Sequence, residues 1–148
     1  MFKHILVSTD GSKLSSKAIR TAVKLAAATS AKVTGVYVIA PFVAPAYGEG
    51  MMYMPAISSK RYKEITGRAA RKALAAVEIE ARTAGSEYGG VMLTADNPWE
   101  GIIRTAKAKQ CDLIVMASHG RRGLAGLLLG SETTKVLTHS KIPVLVCR

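Results

Sequence analysis

Apolar runs rich in β-branched residues alternate with amphipathic stretches of helical period along the whole of this 148-residue chain. That alternation constrains the fold more than any other feature. Strands joined through helices run parallel, and a parallel sheet needs helices on both of its faces. The apolar runs fall at residues 4–9, 32–39, 90–94, 113–117 and 143–147. Four helices are predicted between them. The first turns Ala18, Ile19, Ala22, Val23 and Ala26 inward, with Asp10, Gly11 and Ser12 as turn and cap ahead of it. The second, over about residues 60–84, sets Ile65, Ala69, Ala73, Ala76 and Ile79 along its core side and stops near Gly85. Asn97 and Pro98 are expected to cap the third, which carries Trp99, Ile102, Ile103 and Ala106 inward. Residues 132–138 make the last. Five strands and four helices fit one doubly wound domain over residues 1–148, without internal repeat or linker.

The chain is long enough to bury one substantial core. Apolar residues make up 49% of it, yet no run approaches the roughly 20 residues of a membrane span. The first ten residues reach a charge too soon for a secretory apolar segment, so a cytoplasmic protein without a membrane partner is expected. Cys111 and Cys147 lack metal-ligand spacing and read as free thiols; neither a flavin nor a transition metal is expected. The formal charge of +11 raises the question of a polyanionic partner. Lys13, Lys17, Arg20 and Lys24 share one helix face, and Arg61, Arg68 and Lys72 suggest a second stripe. Both read first as solvated helix faces. No helix-turn-helix, aromatic RNA-binding strand or zinc pattern accompanies them, so no specific nucleic acid partner is expected. The charge does raise the local concentration of small anionic ligands.

The strand at residues 113–117 runs into a glycine-bearing segment that ends at Gly130 and Ser131, where a helix begins. A glycine loop between a strand and a helix N-terminus suits a phosphate, because backbone N–H groups approach closely and the helix start offers unpaired donors. Turns and a helix cap alone would also call for these glycines. The segment lacks the G-K-[S/T] of a P-loop, and the chain has neither G-x-S-x-G nor H-E-x-x-H, so no catalytic residue is assigned and efficient ATP hydrolysis is not expected. His119 sits beside the loop without a partner at a marking spacing; a structural or ligand-orienting role is expected over a catalytic one. The irregular stretch at residues 41–59, with Met51, Met52 and Met54, reads as either a surface loop or a flap over the same region.

With Val7-Ser-Thr-Asp10-Gly11-Ser12 after the first strand and Ile142-Pro-Val-Leu-Val-Cys147 at the end, the chain resembles the universal stress protein family over essentially its whole length. Nucleotide-binding members carry G-x-x-G, nine residues, then G-[S/T]. Gly120, the nine residues after it, Gly130 and Ser131 match, whereas Ala117 replaces the first glycine. The resemblance implies strand order 3-2-1-4-5, which brings Thr9 and Asp10 to the same crevice as the glycine loop. It implies ATP or another adenine nucleotide with Mg²⁺. Asp10 would stand near the phosphates and the metal, usually through water. Aspartate is also a good turn former and cap there. Ala117, Gly120, Gly130 and Ser131 would border the phosphates, and the Val38 backbone would meet adenine. Arg121 and Arg122 would point either at phosphate or into solvent. The family also implies a homodimer formed by antiparallel pairing of the last strand, which avoids leaving an apolar edge bare. The function expected is a nucleotide-dependent regulator or scaffold in stress response; the alternatives are a dimeric interaction protein that binds no nucleotide and a slow hydrolase.

Overall fold

Strand β1 (His4–Ser8) lies at the centre, with Ile5, Leu6 and Val7 wholly buried. The computed structural model describes residues 1–44, 57–120 and 129–148. After β1 come α1 (Lys13–Thr29), β2 (Lys32–Ile39), α2 (Ser59–Thr83), β3 (Tyr88–Thr94), α3 (Pro98–Ala108), β4 (Leu113–Ala117), α4 (Ser131–His139) and β5 (Val144–Cys147). The five strands form one parallel sheet in the order β3-β2-β1-β4-β5, as expected. Successive side chains of a strand face opposite ways. Ile5 and Val7 therefore meet α1 and α2, through Ala18, Ala22, Val23, Val77 and Ala81, while Leu6 meets α3 and α4, through Ile102, Ile103, Ala106 and Val136.

At the amino end of the sheet, Asp112 accepts the N–H groups of Lys3 at 2.7 Å and His4 at 3.0 Å, tying the start of β1 to that of β4. Burial pushes the Asp112 carboxyl up, but the backbone N–H groups of Lys3, His4 and Asp112 itself more than offset that and hold it below the usual carboxylate value. A depressed folded value means that this tie stabilises the fold above the ordinary carboxylate pKa and is lost as pH falls below it. Ser12 caps α1 as expected, its Oγ accepting the Ser15 N–H at 3.1 Å. Lys13, Lys17, Arg20 and Lys24 are all exposed. Both cysteines are free; burial raises the Cys111 thiol to about 11, so it stays protonated at neutral pH. Among the described residues no helix is long and apolar enough to cross a membrane.

Helix α2 departs from expectation in the face it buries. The buried side is Gly67, Ala70, Ala73, Val77 and Ala81, whereas Ile65 and Ile79 are 46% and 65% exposed and Ala76 is also exposed. The reason is close approach. Gly35 of β2 leaves room for the helix: a Cβ on it would come within 3.2 Å of Leu74 and 3.3 Å of Val77. The glycine seats Leu74 and Val77, which turns this side of α2, with Ala70, Ala73 and Ala81, onto the sheet and leaves Ile65 and Ile79 outside. Asn97 also differs. It occupies the cap position of α3, but its side chain makes no cap bond and its amide donates to Glu100 instead, at 3.0 Å. The Trp99 N–H goes to Glu132 of α4 at 2.8 Å, a contact between the two helices of that layer. β3 begins two residues ahead of the expected Gly90, because Tyr88 and Gly89 already pair with Val33 and Thr34 of β2; the Tyr88 hydroxyl donates to the Leu74 carbonyl of α2 at 3.0 Å.

If α2 is seated this way, Val77→Ala costs about 2 kcal/mol. That lowers the melting temperature by about 4–8 °C. Ile79→Ala stays within about 0.5 kcal/mol of the parent. Thermal unfolding of the two variants reads the difference directly; equal losses would place Ile79 in the core.

Candidate functional site

β1 and β4 are neighbours, but the chain leaves them on opposite sides: α1 packs on one face of the sheet and α4 on the other. Such a reversal opens a crevice beyond the carboxyl ends of the two strands. The residues at those ends define what the crevice offers.

On the β1 side the chain turns sharply at Gly11, whose φ of 77° is left-handed and favours glycine. Thr9 holds the turn. Its N–H continues the ladder to the Val36 carbonyl at 3.0 Å, and its buried hydroxyl accepts the Gly11 N–H and bonds Ser15 Oγ, both at 3.1 Å. The Thr9 side chain is therefore engaged by the protein itself. Asp10 Oδ1 accepts the Ser12 N–H at 2.9 Å, an Asx turn into α1. A Cβ placed on Gly120 would fall 2.7 Å from Asp10 Oδ2. The carboxylate thus lies against the glycine, and any larger residue at 120 would displace it. Two segments more than a hundred residues apart in sequence meet at this point.

On the β4 side Ala117 ends the strand with its methyl in the α1-side core cluster, so the replacement of the family's first glycine is absorbed by packing. Its carbonyl accepts the Thr133 hydroxyl at 2.9 Å. Ser118 donates its N–H to the Cys147 carbonyl and accepts the Gly130 N–H, both at 2.7 Å. His119 Nδ1 bonds Ser118 Oγ at 3.2 Å, a local contact that orients the ring. Gly130 is the cap position of α4 and makes no side-chain cap bond. A Cβ there would come within 3.1 Å of the His119 backbone, so any larger residue at 130 presses on the loop whether or not a ligand is present. Gly130 is demanded by the loop, and its N–H is spent inside it. Among the described residues the N–H groups of Ser131, Glu132 and Thr133 have no intrahelical acceptor, since the first intrahelical bond runs from Thr134 N–H to the Gly130 carbonyl at 3.0 Å. Ser131 is exposed. The Glu132 carboxylate is engaged by Trp99 N–H and by Lys135 Nζ at 3.6 Å.

Val38 completes the arrangement from β2. Its side chain packs on Gly101 of α3, where a Cβ would lie 3.2 Å from Val38 Cγ2. Val36 points its carbonyl to Thr9. By the alternation of a strand, Val38 turns its N–H and C=O the same way, beyond Ser8, where β1 ends. Those two groups border the crevice. Arg121, Arg122 and the methionine-bearing stretch lie outside the described residues. Thr133, Ser118 and Ser15, which fasten both turns, were not singled out from the sequence; their only signal is a small hydroxyl residue next to a predicted strand end or in a first helical turn.

Among the described residues no group of three or more His, Cys, Asp or Glu side chains is placed to hold a metal. One carboxylate, Asp10, fits Mg²⁺ only when phosphate oxygens and waters supply the remaining ligands. A separate groove of about 370 Å³ lies at the opposite pole, lined among others by Lys3, Ser30, Lys32, Gly85 and Glu87, with Lys32 and Glu87 in an ion pair at 2.6 Å.

The fold and these converging turns define a small doubly wound α/β protein with its crevice at the β1–β4 switch point. The chain belongs to the universal stress protein family, whose model matches residues 1–148. A universal stress protein of Methanocaldococcus jannaschii is 33% identical over 151 residues, covering all of this chain and 83% of that protein. The universal stress protein UspA from Lactobacillus plantarum superposes with a TM-score of 0.76 at 25% identity, over 99% of this chain and 97% of that one. A universal stress protein crystallised in complex with cAMP gives a TM-score of 0.72 at 25% identity, again over 99% and 97% of the two chains.

Proposed function

We propose that this protein binds an adenine nucleotide, ATP with Mg²⁺, in the crevice at the carboxyl ends of β1 and β4, and acts as a nucleotide-dependent cytoplasmic regulator or scaffold in stress response. The observation that carries the proposal is the contact of Asp10 Oδ2 with Gly120, which puts a carboxylate just beyond the end of β4, where the Gly130 N–H ahead of α4 also bonds Ser118. The N–H groups of Ser131, Glu132 and Thr133 take phosphate oxygens. Asp10 meets the metal that rides on them, and the Val38 backbone reads the base. Thr9, Ala117 and Gly130 build the walls. A relative at 25% identity crystallised in complex with cAMP supports an adenine nucleotide as the ligand. Mg²⁺ supplies charge neutralisation for the phosphates; the protein's own part is to position them. Without a P-loop lysine, hydrolysis is slow at most. A second function, a dimeric interaction protein that needs no nucleotide, draws on Gly130, whose N–H is already bonded and whose missing side chain the loop itself requires.

We propose further that residues 1–148 act as one domain that pairs with a second copy through β5. Leu145 on this edge strand is 37% exposed, and antiparallel pairing would satisfy its backbone and cover its apolar side chains in a closed two-fold dimer.

Thermal unfolding with millimolar ATP and Mg²⁺ tests the nucleotide. At a concentration 100-fold above Kd the ligand adds about 2.7 kcal/mol. That is a rise of about 5–10 °C, with a smaller rise for AMP. Asp10→Asn, which keeps the Ser12 bond but removes the charge, weakens ATP binding about tenfold or more while sparing AMP. Absence of any shift with ATP would favour the nucleotide-free alternative. For assembly, Leu145→Pro removes a ladder donor and is expected to turn a dimer into monomer or aggregate in light scattering; a parent protein that runs as a monomer at tens of micromolar would refute the dimer.

A further inference from the structure

Charge is distributed unevenly between the two helical layers. α1 carries four cations and no acid, and α2 carries seven cations and three acids. Both helices pack on the same face of the sheet, so that layer holds eight of the chain's eleven net positive charges. In the opposite layer, α3 and α4 together carry three cations and two acids. The cations of α1 lie directly opposite its buried side: Lys13, Lys17, Arg20 and Lys24 follow one another at spacings of four, three and four, all exposed.

The outer ridge of α2 has a different make-up. Arg61, Ile65, Arg68, Lys72, Ala76 and Ile79 repeat at helical spacing, and every one is exposed. Arg61 is paired with Glu64 at 3.4 Å, which leaves Arg68 and Lys72 as the ridge's cations. Glu78 is paired with Arg82 at 2.8 Å, and the exposed Glu80, four residues after Ala76, is the acid at the far end of the ridge. Two isoleucines with 46% and 65% of their surface exposed therefore stand in line with cations. They are 14 residues apart, about 21 Å along the helix. Neighbouring helices lie about 8–10 Å apart, so the two ridges together form one broad platform of cations studded with aliphatic side chains.

We infer that the outer face of the α1/α2 layer docks on an anionic membrane surface, peripherally and without spanning it. A phosphodiester backbone would satisfy the cations alone and offers nothing to Ile65 and Ile79. A lipid interface satisfies both: headgroup phosphates meet the lysines and arginines, whose stems lie along the surface, and the acyl boundary receives the isoleucines. The surface is independent of the crevice, which opens at the ends of the strands.

Sedimentation with vesicles of equal parts phosphatidylglycerol and phosphatidylcholine tests the inference. The full-length protein is expected to sediment with these vesicles at low salt and not with phosphatidylcholine alone. Each cation in contact is worth about fivefold in partitioning, so Lys17→Ala with Arg20→Ala weakens it about 25-fold. Ile65→Ser with Ile79→Ser weakens it about tenfold or more at unchanged net charge. All four changed residues are exposed, and circular dichroism and native mass confirm that the variants stay folded. Failure of the parent to sediment with the anionic vesicles overturns the inference. So does sedimentation that the isoleucine changes leave untouched, or binding to duplex DNA that outcompetes the vesicles.

Discussion

Parallel pairing of β1 with β4 is the constraint on which the rest of the structure depends. β1 is buried on both faces, so it can only sit at the centre, and β2 already occupies one of its edges. Placing β4 on the other edge, with Ile5, Leu6 and Val7 in register with Leu113, Ile114 and Val115, reverses the direction in which the sheet grows. Helices α1 and α2 then cover one face and α3 and α4 the other. The Asp112 tie at the amino end sets the two strands level. At the carboxyl end the same pairing brings Asp10 and Gly120 into contact.

The site is built mostly from backbone, and its side chains serve to fix that backbone. Thr9 and Ser15 lock the first turn, and Thr133 and Ser118 lock the second. Buried hydroxyls with their bonds satisfied give rigid turns at modest cost, because each removes a polar group that would otherwise go unpaired. The start of α4 contributes the backbone N–H groups of Ser131, Glu132 and Thr133, and Asp10, which also caps its own turn through Ser12, contributes a carboxylate. That set suits the binding and positioning of an anion.

The order of the elements and the Ser12 cap were legible in the sequence, because β-branched runs and amphipathic periods are local signals; the strand order followed from the family likeness. The face of α2 was not. Its alanines fit two helical stripes equally well, and apolar weight alone favours the one containing Ile65 and Ile79. What decides is the size that Gly35 permits, a property of the neighbouring strand. Glu132 reaching Trp99 across 33 residues is likewise a product of packing between α3 and α4, with no local trace. At the site, the convergence of Asp10 with the glycine loop followed from the family likeness. The spending of the Gly130 N–H on Ser118 did not, because a glycine that serves a ligand and a glycine that serves its own loop look the same in a sequence.

Amide chemical-shift mapping during a titration with ATP and Mg²⁺ tests the central claim most directly, since it locates the ligand without perturbing the protein. The amides of Gly120, Ser131, Glu132, Thr133 and Val38 are predicted to move together and saturate on one curve, while those around Lys3, Ser30, Lys32 and Gly85 at the other pole stay still. Shifts confined to that opposite groove, or a spectrum unchanged at millimolar ATP, would contradict it.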